Sequence, residues 1–258
     1  MTVAGIDMGI QNTKAVIMRD DKIIGRAWVP SGGIDRPAQA RKAYEEALQQ
    51  AGLDAEEVDK VIATGKGKYD IPFAGGRVTE TMAAARAARL LYPEATAVMS
   101  VGADESLAAI LGKDRLICEF VLNQKCAAGL GVFLTYLAKR LGMPLEAINA
   151  AEGPDAGVIM NEGCVVFSEL DALSLINNGA SQAAVLASAV KAVAVRAANV
   201  LIDLTAPVGE HVVLIGGLAK NQAFVHALEK QLGRGFMIPA DADYCGAIGA
   251  AASANKPS

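Results

Sequence analysis

The chain opens with short apolar runs broken by polar turns. V-A-G-I-D at residues 3–7 is followed by K-A-V-I-M-R at 14–19, a charged turn at Asp20-Asp21, and K-I-I-G-R-A-W-V at 22–29. Runs this short, punctuated by turn residues, predict a β-meander. The period then lengthens. Residues from about Asp35 to Ala51 predict a helix with Gly52 as its C-terminal cap. V-I-A-T at 61–64 predicts a strand, and a helix from about Thr79 to Leu91 is stopped by Pro93.

From Ala95 the same order begins again: A-T-A-V-M-S-V-G-A-D-E-S-L-A-A-I-L-G-K-D-R-L-I repeats strand, glycine turn, strand, charged turn, strand. Gly9 falls on Gly102, Ile17 on Ile110, Asp21 on Asp114 and Ile23 on Leu116. A repeat of this kind sets architecture. It predicts an α/β protein of two duplicated halves, residues 1–94 and 95–258, facing one another across a cleft. The second half adds helices. Residues 127–142 carry apolar positions at 130, 133, 134, 137 and 141. Further helices are predicted from about Val165 to Asn177, and from about Ser181 to Leu204 in an alanine-rich stretch. The strand H-V-V-L-I, the turn G-G-L-A-K-N, a helix to Leu232 and a closing helix beginning near Gly246 complete the chain.

Composition narrows the class without naming a chemistry. In 258 residues, 52% are apolar and the net charge is −4 with both signs interspersed. No basic run marks a nucleic-acid groove or a lipid surface, so neither partner is expected. The longest apolar region, before Lys191, falls short of the ~20 residues of a membrane span. The chain begins directly on strand-like sequence, and its four cysteines suit a reducing compartment, so a cytoplasmic location is expected.

Candidate chemistry begins with Asp7-Met8-Gly9-Ile10-Gln11-Asn12-Thr13-Lys14, between two predicted strands. Gly9 permits a tight turn whose N–H groups can face an anion. Lys14 could neutralise a phosphate, and Asp7 could hold Mg²⁺ through water. Alone, the pattern also fits an ordinary hairpin. Ile215-Gly216-Gly217-Leu218-Ala219-Lys220-Asn221 supplies a second glycine turn, where bare backbone admits a flat ring or a phosphate and Asn221 suits a helix N-cap. Gly246-Ala247-Ile248-Gly249-Ala250-Ala251 provides small residues for close helix packing.

In this order, and with the internal repeat, the three motifs resemble the actin, sugar-kinase and heat-shock-chaperone ATPase superfamily. That resemblance implies two ribonuclease-H-like domains with ATP or ADP and Mg²⁺ between them. It places Gly9, Thr13, Lys14 and Gly102 at the phosphates, Gly216, Gly217 and Asn221 at the adenosine, and Asp7 as a catalytic carboxylate; Asp104 and Glu105 are the candidate carboxylates of the second loop.

Cys126, in K-C-A-A-G-L-G, and Cys164, in G-C-V-V-F-S-E, each begin a predicted helix. A helix N-terminus favours a thiolate. On the residues alone, they are either buried structural thiols or ligands. Two thiolates cannot complete the four that a four-iron cluster needs, but a twofold dimer doubles them.

Inside an actin-like ATPase these segments, with A-T-G-K-G-K at 63–68, are similar to the activator family of 2-hydroxyacyl-CoA dehydratases, which includes the ATP-hydrolysing subunits of benzoyl-CoA reductase. The resemblance runs from Asp7 to about Ala252. It implies a homodimer bridged by one 4Fe-4S cluster on Cys126 and Cys164, loaded by ferredoxin or flavodoxin. Low-potential electrons would pass, under ATP, to a partner iron–sulfur enzyme in an anaerobic setting. Cys118, in an apolar strand, and Cys245, in the loop before the last helix, match no ligand and are expected to be structural; His211 and His226 have no role. One departure stands out. The family's second phosphate loop begins with Asp, in D-x-G-G-Q-D, whereas this chain has Ser100-Val101-Gly102-Ala103-Asp104-Glu105. ATP binding is therefore a firmer expectation than fast hydrolysis, with Asp104 or Glu105 the carboxylates able to substitute.

Overall fold

The computed structural model describes residues 1–32, 35–113, 116–123, 130–151, 160–161 and 164–254. Two sheets organise them. The first contains β1 (Thr2–Met8), β2 (Asn12–Arg19), β3 (Lys22–Pro30), β4 (Lys60–Thr64) and β5 (Gly76–Arg77), in the order β3-β2-β1-β4-β5. The second contains β6 (Ala97–Val101), β7 (Ser106–Leu111), β8 (Ile117–Leu122) and β9 (Val212–Ile215), in the order β8-β7-β6-β9. Each sheet is a meander with a parallel strand added beside its first strand.

The agreement between the sheets extends to register. Asp7 pairs with Lys14 across β1 and β2, and Ser100 pairs with Leu107 across β6 and β7. Asp7 sits beside Thr64 of the parallel β4, and Ser100 beside Ile215 of the parallel β9. Each middle strand has one irregularity, at Ile17/Met18 and at Ile110/Leu111. The third strands depart from the expected correspondence. Met18 faces Ile23 and Leu111 faces Ile117, so Ile117 and not Leu116 takes the place of Ile23. A one-residue slip exchanges the two faces of a strand. Asp114, expected opposite Asp21 in the repeat, lies outside the described residues.

Local chemistry explains where the helices begin. α1 (Arg36–Ala51) starts at Asp35, whose carboxylate accepts from the Ala38 N–H at 3.0 Å, and ends at Gly52 in the left-handed region. Thr79 caps α2 (Glu80–Leu91) through the Met82 N–H. α3 spans Gly131–Arg140, and α4 spans Val165–Asn177 with Cys164 at its N-cap. Ser181 caps α5 (Gln182–Ile202), and Asn221 caps α6 (Gln222–Leu232) by accepting from the Phe224 N–H at 2.8 Å. α7 covers Cys245–Ala251, so Cys245 is its first residue and not part of the preceding loop.

Layering follows from which faces are apolar. α1 covers the outer face of the first sheet, where Tyr44 and Leu48 join Ala15, Ile17 and Val29 in one core. α5 covers β7 and β8 and packs on α3, α4 and α6. Running through Lys191 and Arg196, α5 is one helix of 21 residues, longer than the apolar run suggests and apolar enough to cross a membrane by length and composition. Most of it is buried in this core, as in a core helix. Between the sheets lie α2, on β6 to β8, and α7, on β1, β2 and β4, in contact with each other. Thus α7, grouped by sequence with residues 95–258, packs on the first sheet. Its small residues permit this. A Cβ on Gly5 would overlap the Ala247 carbonyl, and one on Gly249 would overlap that of Ala83.

Candidate active site

The C-terminal ends of the inner strands from both sheets open onto a shared cleft. From the first sheet, β1 delivers Asp7, and the turn to β2 is closed by the Gly9 N–H donating to the Asn12 carbonyl at 3.1 Å. The second sheet repeats this closure with the Gly102 N–H and the Glu105 carbonyl, at 2.9 Å. The parallel strands end alike too. Gly65 follows β4 at φ +87°, and Gly216 follows β9 at φ +98°. Side chains at those positions would meet the Met8 and Val101 carbonyls, so both the dihedral and the space demand glycine.

Of the expected residues, Asp7, Gly9, Lys14, Gly102, Asp104, Glu105, Gly216 and Gly217 line this cleft. Ser100 lines it as well. Thr13 does not. It follows the alternation of β2, opposite in facing to Lys14, and its buried hydroxyl shares a 2.7 Å hydrogen bond with Ser31. Asn221 is also absent from the lining and serves as the α6 cap. Both side chains are engaged in hydrogen bonds within the protein. His211 stands just before β9, where its carbonyl accepts from Thr96, and His226 lies on α6.

Sequence reasoning missed three charged side chains of the lining: Lys66, Glu80 and Asp243. Glu80 opens α2, where an acidic residue already has a reason to be, namely the helix dipole. Lys68 Nζ lies 3.3 Å from one of its carboxylate oxygens, and Lys66 Nζ lies 4.0 Å from the other. Lys66 also forms a close ion pair with Glu105, joining the first sheet's loop to the second's. Asp243 pairs with Lys220 at 3.3 Å.

The cleft concentrates negative charge. Burial raises the Asp7 pKa above the usual carboxylate value; Lys14 opposes the rise, while Glu80 and Asp104 add to it. Asp104 is raised as well, first by burial and then by Glu80, against the pull of Lys66 and a backbone hydrogen bond. Burial works against the Lys66 ammonium, yet Glu105, Glu80 and Asp104 together hold its pKa above the ordinary value. Two raised carboxylates, one at each glycine turn, make a place where a hard cation would be welcome.

Cys164 occupies the N-cap position of α4, partly exposed and without a side-chain capping bond, and its N–H donates to Asn161 Oδ1 at 2.8 Å. Buried Arg196 reaches the Asn161 carbonyl at 2.8 Å and Ser168 Oγ at 3.0 Å, fixing the start of this helix. Cys126 lies outside the described residues. The helix that follows it begins at Gly131 and rests on the second turn: the Val132 N–H donates to the Ala103 carbonyl at 2.8 Å. Cys118 is exposed on the edge strand β8, which corrects its expected role as a structural thiol. Cys245 is buried, and burial pushes its pKa up to about 12, so it stays an inert thiol.

Residues 4–254 match the BadF/BadG/BcrA/BcrD ATPase family. The chain belongs to that family. Family members named for their roles align end to end. The chain is 31% identical to the activator of lactoyl-CoA dehydratase from Anaerotignum propionicum, over 97% of this chain and 96% of that one. It is 31% identical to one of the subunits of benzoyl-CoA reductase from Thauera aromatica, over 97% and 92%. The solved activator of the 2-hydroxyisocaproyl-CoA dehydratase from Clostridium difficile, with bound ADPNP, superposes with a TM-score of 0.87 at 26% identity, covering 98% of this chain and 94% of that one. The family is one of ATPases, and the relative's bound ADPNP is a nucleoside triphosphate analogue.

Proposed function

We propose that this protein is an ATP-dependent activator. It would use nucleotide binding and hydrolysis to pass low-potential electrons from a shared 4Fe-4S cluster to a partner iron–sulfur enzyme, such as a 2-hydroxyacyl-CoA dehydratase. In this reading the two sheets are the cores of duplicated ribonuclease-H-like domains, residues 1–94 and 95–258, with α7 crossing back to the first. ATP lies between them, its phosphates at the Gly9 and Gly102 turns and its adenosine against Gly216-Gly217. Mg²⁺ fits the oxygen donors and the charge excess around Asp7. Among the described residues no group of three or more such ligands converges, so water and phosphate oxygens would complete its shell.

The observation that carries the electron-transfer reading is Cys164 at the N-cap of α4, in a family whose relatives are dehydratase activators. Paired by twofold symmetry, Cys164 and Cys126 of a homodimer supply four thiolates, the set a 4Fe-4S cluster takes for one-electron storage. The Val132–Ala103 hydrogen bond gives the nucleotide turn a direct grip on the helix after Cys126. A row of exposed apolar residues on α4, including Val166, Phe167, Leu170 and Leu173, offers a surface to the dimer mate or the electron acceptor. Ferredoxin or flavodoxin would load the cluster, in an anaerobic cytoplasm.

Iron and acid-labile sulfide, measured on protein purified without oxygen, test this reading. About four of each per dimer are expected, lost on Cys164→Ser or Cys126→Ser while nucleotide binding persists. Full iron in either variant would sink the ligand assignment. Two other readings have specific support. Similarity to a component of benzoyl-CoA reductase favours non-identical paired subunits, which a co-purifying paralogue would reveal. Ser100 in place of a carboxylate favours a cluster-free nucleotide-binding regulator, which absence of iron after anaerobic reconstitution would reveal.

A further inference from the structure

Two lysines enter the cleft, one toward each end. Lys14 on β2 pairs opposite Asp7 of β1, on the side where residues 242–244 touch β2 and Ala242 accepts from the Gly216 N–H; Lys66 follows β4 on the other side of β1 and meets Glu80 and Glu105, so Asp7 stands between the two lysines. Lys66 has a fixed root. A Cβ on Gly65 would overlap the Asp7 carboxylate and the Met8 backbone, and the Gly67 N–H donates to the Met8 carbonyl at 2.9 Å. Its ammonium is partly exposed and bridges the sheets through Glu105. A lysine is a compact, rotatable charge that can exchange one oxygen partner for another.

We propose that Lys66 distinguishes a nucleoside triphosphate from a diphosphate: the terminal phosphate takes the ammonium that is otherwise paired with Glu105. The inference rests on the adenosine being seated at Gly216-Gly217. A polyphosphate laid from there runs past Lys14 and Asp7 and ends among Lys66, Glu80 and Glu105. A diphosphate stops short, leaving the Lys66–Glu105 bridge intact. A triphosphate brings oxygens and negative charge to that bridge and must displace Glu105 to be neutralised. The exchange would open one contact between the sheets and replace it with a contact through the ligand. Glu80 keeps Lys68 as a partner throughout, so removing Lys66 does not strand it.

The test is calorimetric binding of ADPNP and of ADP, each with Mg²⁺, to the full chain and to Lys66→Met, Glu105→Gln and the double variant. Lys66→Met should weaken ADPNP about tenfold or more, the scale of a charged hydrogen bond, and leave ADP within about twofold. Glu105→Gln should tighten ADPNP, and that gain should vanish in the double variant. Equal weakening of both nucleotides by Lys66→Met would overturn the inference, as would a Glu105→Gln gain that survives without Lys66. Failure of the unaltered protein to bind either nucleotide would overturn the nucleotide reading itself, and this inference with it.

Discussion

The Asp7–Lys14 and Ser100–Leu107 turns have the same backbone and different chemistry. Both join the first two strands of a sheet, both are closed by a glycine N–H, and both are buttressed by a glycine at positive φ. The first carries a carboxylate opposite an ammonium; the second carries a hydroxyl opposite Leu107. Backbone hydrogen bonds dictate the shape of such a turn, whereas the side chains on its strands set the charge. The second turn's carboxylates come later, at Asp104 and Glu105, and Glu105 is already engaged by Lys66. The turn geometry is therefore duplicated, while the carboxylates enter at different points, before the glycine in the first turn and after it in the second.

Breaking the comparison at its charged side should have the largest effect. Asp7→Asn should lower ATP turnover on the order of 10²-fold or more, the scale of a lost catalytic group. Phosphate-release assays read this directly, and unchanged turnover would remove Asp7 from the mechanism. The same variant has an opposite effect on the fold. Burial raises the native pKa of Asp7, so the native state binds a proton more tightly than the unfolded state does. Stability from this group is present at low pH and falls as pH rises from the unfolded value through the raised native one. Asp7→Asn should remove that decline and leave the ligand-free protein more resistant to urea at neutral pH. A variant less stable than the parent there would refute the burial argument.

Next in size comes the buttress that both turns share. Gly65→Ala and Gly216→Ala should each destabilise the protein by about 2–4 kcal/mol, through a strained dihedral and overlap with backbone. Thermal or urea midpoints measure the loss, and the equivalence of the two turns fails if one is tolerated. The smallest effect should come from sharpening the comparison. Ser100→Asp restores a carboxylate at the position matching Asp7, and turnover should rise by a factor within about tenfold. A fall would mean that the second turn cannot use a carboxylate at this position.

Much of the frame was legible because it rests on local interactions. Asp35, Thr79, Ser181 and Asn221 announce their helices by the hydrogen bonds that their own side chains make within three residues. The repeat was legible because turns and strand lengths recur. The rest is tertiary. Lys66 and Glu80 reach the cleft only because β4 lies beside β1 and α2 lies between the sheets. Thr13 looked like part of a phosphate loop, but alternation along β2 turns its hydroxyl toward Ser31. The extra residue before β8 is invisible until its pairing with β7 is seen. Cys164 was readable at a helix start, while Cys126 lies outside the described residues.

The return of α7 to the first sheet has a consequence for how the protein is made. β1 carries Gly5, whose missing side chain leaves room for the Ala247 carbonyl, and α2 presents the Ala83 carbonyl to Gly249. Until residues 245–251 have been synthesised, one face of the N-terminal sheet has nothing to cover it. The half that emerges first from the ribosome is thus completed last, and neither half should melt as an independent unit.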